Sequence, residues 1–290
     1  MRVVYPGERG SFAELAAIEF FGQECPIEQV AGFEDVFTAV KKDPEMRGVI
    51  PIENTRGGSV HRNYDLLVEK RCYIVGELYL KIGHCLIANH GVSRRRIKRV
   101  LSHPQALAQC RKYLKRYRSI QPIETVNTAV AVKMLKEEGA NDAAAIASMQ
   151  AAIDFDMEIL EENIQDDKSN TTRFLILSRS PLAPAPAASS MKSSIVFSMD
   201  NTPGSLFRSL AVFSLRDIDL FKIESRPTYG EGFHYLFYLD FEGDSGSEAQ
   251  KNALNHLREK ATFFRLLGSY PIGRQVAPVY ATQDIHVHDR

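Results

Sequence analysis

The chain has 290 residues, 44% of them hydrophobic, and its 36 lysines and arginines are balanced by 36 aspartates and glutamates. That length and apolar content support two or three domains with cores of their own. A formal net charge of zero excludes a global field for nucleic acid or anionic membrane, and no apolar run approaches the roughly 20 residues that span a bilayer.

Met1-Arg2-Val3-Val4-Tyr5 enters a strand directly, so no signal peptide and a cytoplasmic location are expected. The turn Gly7-Glu8-Arg9-Gly10-Ser11 leads into a helical pattern over residues 11–21. Ile27–Val30 reads as a strand, Phe33–Lys42 as a helix, and residues 48–52 as a strand ending on Glu53-Asn54-Thr55. Residues 73–79 and 84–88 have strand character with no helix between them. That break predicts two α/β lobes joined by crossing strands, with a cleft between the lobes. The basic run Arg94-Arg95-Arg96-Ile97-Lys98-Arg99 reads as a solvated helix start or turn rather than a nucleic-acid patch.

Val100-Leu101 runs into Ser102-His103-Pro104-Gln105 and a helix over residues 104–117, with proline in its first turn. A strand over 119–124 is followed by Thr125-Val126-Asn127-Thr128. Thr128–Glu138 is a helix with Asn127 as its cap and Gly139 as its stop. Residues 143–146 are strand again. The alternation predicts mostly parallel sheet covered by helices. Cys25, Cys72, Cys85 and Cys110 show no metal-ligand spacing and read as reduced thiols.

Asn170-Thr171-Thr172-Arg173-Phe174 stands where the acidic stretch Gln165-Asp166-Asp167-Lys168-Ser169 meets the apolar run 174–177. The run reads as a buried strand with its entrance marked. Two readings fit the string. The threonines simply open a strand beside a solvated arginine, or a rigid strand end holds a proton donor and an anion clamp. Four further polar strings at strand-to-helix junctions favour a cleft for a small polar anion. Ligands of open α/β sheets bind at the carboxyl ends of strands, where helix N-termini also offer free N–H groups.

Three prolines among small residues make 181–190 a semi-extended linker. Beyond it come a strand (195–199), a helix (205–215), two strands (220–225 and 235–241), a helix (247–260) and a strand (264–270). This βαββαβ order is that of a ferredoxin-like split unit. Asn201-Thr202-Pro203-Gly204 is a tight turn feeding the first helix, and Glu224-Ser225-Arg226-Pro227 ends the second strand. Both can lie near one sheet edge. A small amphoteric ligand in an intersubunit groove and a plain turn with a strand stop both fit them. His286-Val287-His288 reads as a solvated tail.

Over residues 1–280 the chain resembles bacterial prephenate dehydratases that carry a C-terminal ACT regulatory domain. In the body the resemblance is carried by residues 7–16, Pro51-Ile52-Glu53-Asn54-Thr55, Ser102-His103-Pro104-Gln105-Ala106, Asn127-Thr128-Ala129, Ala144-Ala145-Ile146-Ala147-Ser148, Asn163-Ile164-Gln165-Asp166 and the Asn170–Phe174 string. Pro203-Gly204-Ser205-Leu206 and Lys222-Ile223-Glu224-Ser225-Arg226-Pro227 carry it in the second module. Two departures stand out. Gly204-Ser205-Leu206-Phe207 replaces the family's usual Gly-Ala-Leu-Val, and Ser11-Phe12-Ala13-Glu14 replaces its frequent Thr-Phe-Ser-Glu.

The resemblance implies an α/β fold with a two-lobed, type II periplasmic-binding-protein-like catalytic domain (1–180). A linker (181–192), a ferredoxin-like ACT domain (193–280) and a tail (281–290) would follow. It implies decarboxylative dehydration of prephenate to phenylpyruvate, carbon dioxide and water in L-phenylalanine biosynthesis. Feedback by L-phenylalanine and a homodimer or homotetramer built through both domains are implied as well. Aromatisation drives such a reaction, so no cofactor and no metal are expected, nor a nucleic-acid or membrane partner.

The catalytic residues implied are Thr172 as donor to the departing hydroxyl, Arg173 as its polarising or anion partner, Glu53, Asn54 and Gln105. Substrate contacts would come from Ser11, Thr55, His103, Ala106, Thr171 and Phe174. The effector site would comprise Asn201, Pro203, Gly204, Ser205, Leu206, Glu224, Ser225, Arg226 and Pro227. Arogenate dehydratase is the alternative within the same class. A non-catalytic amino-acid or solute-binding protein is the alternative from another, since the two-lobed body alone would fit it.

Overall fold

The computed structural model describes residues 1–117, 120–183, 190–227, 235–278 and 280. The expected tail 281–290, with its two histidines, and positions 184–189 of the expected linker lie outside the described residues. The chain opens with β1 (Arg2–Pro6), α1 (Phe12–Phe21), β2 (Ile27–Val30), α2 (Phe33–Lys42), β3 (Met46–Asn54), β4 (Gly58–Ser59), α3 (His61–Lys70) and β5 (Tyr73–Lys81). It crosses into β6 (Cys85–Ala88), β7 (Arg99–Ser102), α4 (Pro104–Gln109), α5 (Arg111–Leu114), β8 (Gln121–Glu124), α6 (Thr128–Glu138), β9 (Ala143–Ala147), α7 (Met149–Asp154) and β10 (Glu158–Glu161). It returns through β11 (Thr171–Ser178). Then come β12 (Met191–Ser198), α8 (Ser205–Ser214), β13 (Leu220–Pro227), β14 (Tyr235–Glu242), α9 (Glu248–Lys260), β15 (Phe263–Pro271) and β16 (Gln275–Val276).

Three sheets result. The first has the order β16-β5-β11-β3-β1-β2, with β4 beside β3; the second is β10-β6-β9-β7-β8; the third is β13-β14-β12-β15. The first two are the expected lobes, linked by the crossings 82–84 and 162–170. The third has the split βαββαβ connection expected of the C-terminal module.

The expectation of mostly parallel sheet needs correction. β1 is parallel to β2 and β3, and β7 to β8 and β9, but β11 is antiparallel to both its neighbours and β6 to both of its own. The reversal of β11 matters most for the site. It brings the start of β11 to the carboxyl end of β3, with Thr172 opposite Asn54. The strand and helix punctuation was otherwise legible, apart from α3, α7, β10 and the two-residue strands β4 and β16, which the sequence did not single out, and a break in one helix. Residues 61–70 form α3, which buries Tyr64, Leu66 and Leu67. The helix expected over 104–117 breaks at Cys110, whose φ of −106° and ψ of 19° leave the α region.

All eight residues of β11 are buried. Phe174 and Ile176 face the α1 side, in a core with Leu15, Ala16, Val49 and Leu78. Leu175 and Leu177 face the other way, in a core with Ile74, Val196, Tyr238 and Leu267. Burying each such large side chain contributes about 1.5–3 kcal/mol. The third sheet therefore packs one face on the first sheet and takes α8 and α9 on its other face, through Val212, Phe213, Leu254 and Leu257.

Candidate active site

The two lobes meet around the loop between β1 and α1. Gly10 has φ of +78°, and a Cβ there would lie 2.5 Å from Ala151 Cα, so only glycine lets this turn touch α7. Ser148 caps α7 by accepting from Ala151 N–H at 3.0 Å, and its hydroxyl donates to Gly10 O at 2.5 Å. Arg9–Asp154 (3.2 Å) and Lys133–Glu8 (3.3 Å) span the same seam. Ser11 caps α1, accepting from Glu14 N–H at 3.3 Å. Glu14 in turn accepts from Gly10 N–H (2.5 Å) and Tyr5 hydroxyl (2.9 Å). Burial raises the Glu14 pKa, an effect these two hydrogen bonds oppose.

Beside this seam, Thr172 meets a ring of three amides. Asn54 Oδ1 accepts from the backbone N–H groups of Arg56 (2.9 Å) and Gly57 (2.8 Å). Asn54 Nδ2 therefore faces the other way, donating to Asn170 Oδ1 (2.9 Å), the Thr171 carbonyl (3.2 Å) and Thr172 Oγ1 (2.9 Å). Asn170 Nδ2 donates to Gln109 Oε1 at 2.9 Å, and Gln109 Nε2 closes the ring on Asn54 Oδ1 at 3.3 Å. Backbone groups on both ends of the Asn54 amide fix its orientation, and the other two amides follow. Thr172 Oγ1 is thus an acceptor from Asn54, which leaves its own O–H proton to be donated elsewhere.

Neither Gln109 nor His84 was singled out in the sequence. Gln109 follows Gln105 by four residues, one helical turn along the same face of α4. His84 lies on the crossing between the lobes, and its Nε2 is 2.9 Å from Gln109 Oε1. Those two cues, a second amide at i+4 and a histidine on an inter-lobe crossing, were present but indistinct. His84 is 2% exposed. Burial pushes its pKa down to about 4, against a smaller raising effect of the Gln109 contact. The ring is therefore neutral near pH 7, and Nδ1 has no hydrogen-bond partner among the described residues.

Arg173 and Glu53 do not join this group. Side chains alternate along a strand, so Arg173 leaves the face opposite Thr172. Its guanidinium meets Glu77 (2.7 Å), Asp240 (2.6 Å), Glu53 (3.1 Å) and the Tyr270 hydroxyl (3.1 Å). Glu53 also takes Lys222 Nζ at 2.5 Å, and Glu77 takes Lys192 Nζ at 2.7 Å. Lys192, Arg173 and Lys222 thus alternate with Glu77, Asp240 and Glu53 across the junction of the first and third sheets. Burial alone would lower the Arg173 pKa, but Asp240, Tyr270 and Glu77 outweigh it and hold the guanidinium charged. A fork with this many fixed acceptors is a structural tie and has no free edge for a ligand.

The remaining expected contacts divide. Gln105 lies against the loop after Asn54, where a Cβ on Gly57 would overlap its Nε2. His103 caps α4, its Nδ1 accepting from Gln105 N–H at 3.2 Å, and burial lowers its pKa. Thr55 Oγ1 accepts from Thr171 N–H (3.1 Å), and the Thr171 hydroxyl donates to the Ser169 carbonyl (3.0 Å), so this pair ties the turn. Phe174 and Ala106 are core residues of the first and second lobes, 2% and 3% exposed.

A cavity of about 340 Å³ lies in the third-sheet module. Asn201, Gly204, Ser205, Leu206 and Ser225 line it, together with Phe207, Tyr235 and Phe237. Glu224 and Arg226, expected beside Ser225, point the other way. Glu224 accepts from Ser59 hydroxyl (2.8 Å) and lies 3.3 Å from His61 Nε2, and Arg226 pairs with Asp65 at 2.8 Å. Strand alternation in β13 splits the expected group. Pro203 and Pro227 are outside the lining; the Pro203 carbonyl accepts from Arg208 at 3.2 Å.

An α/β body of two lobes with an oriented hydroxyl at their seam is the architecture of an enzyme for a small polar substrate. Residues 3–182 match the family model described as prephenate dehydratase, and the chain belongs to that family of dehydratases, lyases of phenylalanine biosynthesis. A curated relative, "Arogenate dehydratase/prephenate dehydratase 2, chloroplastic" of Arabidopsis thaliana, is 48% identical over 282 residues, 94% of this chain and 73% of its own. The crystal structure of prephenate dehydratase in complex with L-Phe from Arthrobacter aurescens superposes with a TM-score of 0.86, at 28% identity over 93% of this chain and 90% of its own. A structure described as GqqA, a novel type of quorum quenching acylases, has a TM-score of 0.85 at 28% identity, covering 94% of this chain and 98% of its own.

Proposed function

We propose that the chain converts prephenate to phenylpyruvate, carbon dioxide and water, with Thr172 as donor to the departing ring hydroxyl. The observation that carries this reading is the 2.9 Å hydrogen bond from Asn54 Nδ2 to Thr172 Oγ1. Loss of hydroxide is the demanding step, because hydroxide leaves poorly while a carboxylate collapses to carbon dioxide. A threonine hydroxyl is a weak acid. One whose oxygen already accepts a hydrogen bond is polarised and holds its proton outward. In a site poor in water, an oriented donor of this kind stabilises the charge that develops on the leaving oxygen.

Gln105 and the first amides of α1 are further donors for the substrate's carboxylate and carbonyl oxygens. Glu53 and Arg173 support β3 and β11 from behind rather than touching substrate. That arrangement also keeps the Glu53 carboxylate away from a dianion, where like charges would repel.

The cavity of the third-sheet module, read as an ACT regulatory domain over 193–280, is proposed for L-phenylalanine. Leu206 and Phe237 offer apolar surface to a ring, and Asn201, Ser205 and Ser225 offer polar groups to its amino-acid end. The complex with L-Phe described for the Arthrobacter aurescens protein supports this assignment. A homodimer or homotetramer is proposed in which the edge strand β13 takes part, because Ile223 there is 44% exposed. The location proposed is the cytoplasm. No helix among the described residues is long and apolar enough to cross a membrane, although the Arabidopsis relative is named as chloroplastic.

The test is turnover of prephenate and of arogenate by the purified chain, with phenylpyruvate and phenylalanine as the respective products. Faster turnover of prephenate is expected. Activity confined to arogenate would replace the proposal with its alternative. Binding of either substrate without any product would indicate a non-catalytic binding protein.

A further inference from the structure

We propose that His84 is a positioning residue, whose Nε2–H donates to Gln109 Oε1 and thereby keeps the Gln109 amide turned so that its Nε2 donates to Asn54 Oδ1, clamping from the second lobe the amide that meets Thr172. This deepens the dehydratase reading and rests on it.

Three observations converge on His84. Its main chain is fixed on the inter-lobe crossing: its N–H donates to Gln165 Oε1 at 2.9 Å, and its carbonyl accepts from Ile164 N–H at 3.0 Å. Its ring is held edge-on by Phe12, with centroids 5.6 Å apart and planes at 82°. Its two nitrogens are unlike, Nε2 lying 2.9 Å from Gln109 Oε1 while buried Nδ1 meets no partner among the described residues. A neutral imidazole carries one N–H and one bare nitrogen. The atom of Gln109 that faces it is an oxygen, because the other end of that amide must donate to an Asn54 oxygen already held by two backbone N–H groups. The Nε2–H tautomer satisfies this contact and leaves the bare nitrogen at Nδ1.

The consequence reaches Thr172 through three hydrogen bonds. His84 donates to Gln109, Gln109 donates to Asn54, and Asn54 donates to Thr172 Oγ1. Gln109 belongs to the second lobe and Asn54 to the first, so the chain also reports whether the lobes are together. Without the His84 donor, Gln109 Oε1 keeps only Asn170, and rotation of the Gln109 amide would set two oxygens against each other at Asn54. A hydroxyl misplaced by such a rearrangement loses its role while the substrate's other contacts remain.

The experiment has a spectroscopic and a kinetic arm. In protein carrying 15N-labelled histidine, the His84 ring should show a protonated Nε2 and an unprotonated Nδ1 at neutral pH. The opposite tautomer, or a fully protonated ring, overturns the proposal. This arm needs no substrate, so it stands or fails separately from the dehydratase reading. In the kinetic arm, His84→Leu should lower kcat about 10- to 100-fold on whichever cyclohexadienyl acid is turned over, with KM within about threefold. His84→Gln, whose amide can donate from the Nε2 position, should restore kcat to within about fivefold of the parent. A His84→Leu protein with parental kcat, or a folded His84→Gln protein as slow as His84→Leu, overturns it. Should His84→Leu fail to fold, the tautomer and the His84→Gln protein still decide.

Discussion

Thr172 and Arg173 are neighbours in β11 whose side chains leave opposite faces of the first sheet. Thr172 Oγ1 accepts from Asn54 Nδ2 at 2.9 Å, and Arg173 Nη1 meets Asp240 Oδ2 at 2.6 Å. One peptide bond thus separates a hydroxyl turned to the amide ring from the centre of a buried ion network. Asn54 and Glu53 repeat the division on β3, Asn54 on the amide side and Glu53 paired with Arg173 at 3.1 Å.

If Thr172 donates to the leaving oxygen, Thr172→Ala should fold normally and lose about 10²–10⁴-fold in kcat, the usual worth of a general acid. Thr172→Ser should keep most of it. Asn54→Asp is the sharper variant. It preserves shape but replaces the amide donor with a carboxylate oxygen, which would accept the Thr172 proton and turn it inward. Its loss of kcat should approach that of Thr172→Ala. Phenylpyruvate absorbance in alkali reads both, and an active Thr172→Ala protein would refute the assignment.

Arg173→Met should act on stability before catalysis. It leaves Glu77 and Asp240, 3% and 7% exposed, without their shared partner. Breaking a buried pair from one side costs about 3–5 kcal/mol, and urea unfolding should show a midpoint lowered accordingly. A loss below about 1 kcal/mol would show the network to be more open to water than its burial implies.

The cavity in the third-sheet module calls for point substitutions. Removing the module wholesale would also strip Asp240 and Lys192 from Arg173 and Glu77, and so damage the body for unrelated reasons. Ser225→Leu puts bulk into the cavity and should weaken inhibition by phenylalanine at least tenfold, about 1.4 kcal/mol of binding. Glu224→Gln changes a residue that faces Ser59 and His61 on the body, so phenylalanine affinity measured by calorimetry should move far less. Equal losses in both would place the effector elsewhere.

His84 makes stability fall on the acid side. Its folded pKa is about 4, lowered by burial from an unfolded value of 6.5. Above both values the ring is neutral in either state and contributes nothing to pH dependence. As pH falls below the unfolded value, the unfolded chain binds a proton that the native ring refuses. Stability drops until the folded pKa is passed, by about 3 kcal/mol in all. Among the described residues, the side chains that hydrogen-bond His84 or pack a ring on it are Gln109, Gln165 and Phe12, and these do not ionise. Between about pH 7.5 and 5, urea unfolding should show the parent losing about 2 kcal/mol more than His84→Gln. Parallel curves for the two proteins would contradict this.

Local pattern carried much of this protein. Helical spacing, the cap Asn127, the β-branched entrance at Thr171 and Thr172, and the βαββαβ order after the proline-rich stretch were all legible, because each depends on neighbours within a few residues. The motifs also pointed to the prephenate dehydratase family. The period of two along a strand even implied that Thr172 and Arg173, or Glu224 and Ser225, point apart. It could not say which of each pair meets the amide ring or the cavity, because that depends on what is packed against each face. Only the tertiary structure decided it. The antiparallel return of β11 set Thr172 beside Asn54, and the docking of the third sheet buried Arg173 among carboxylates. Gln109 and His84 entered the site from the other lobe and from the crossing between lobes. Side-chain contacts between residues far apart in sequence leave no periodic trace in it, so the ring that orients Thr172 exists only in the folded chain.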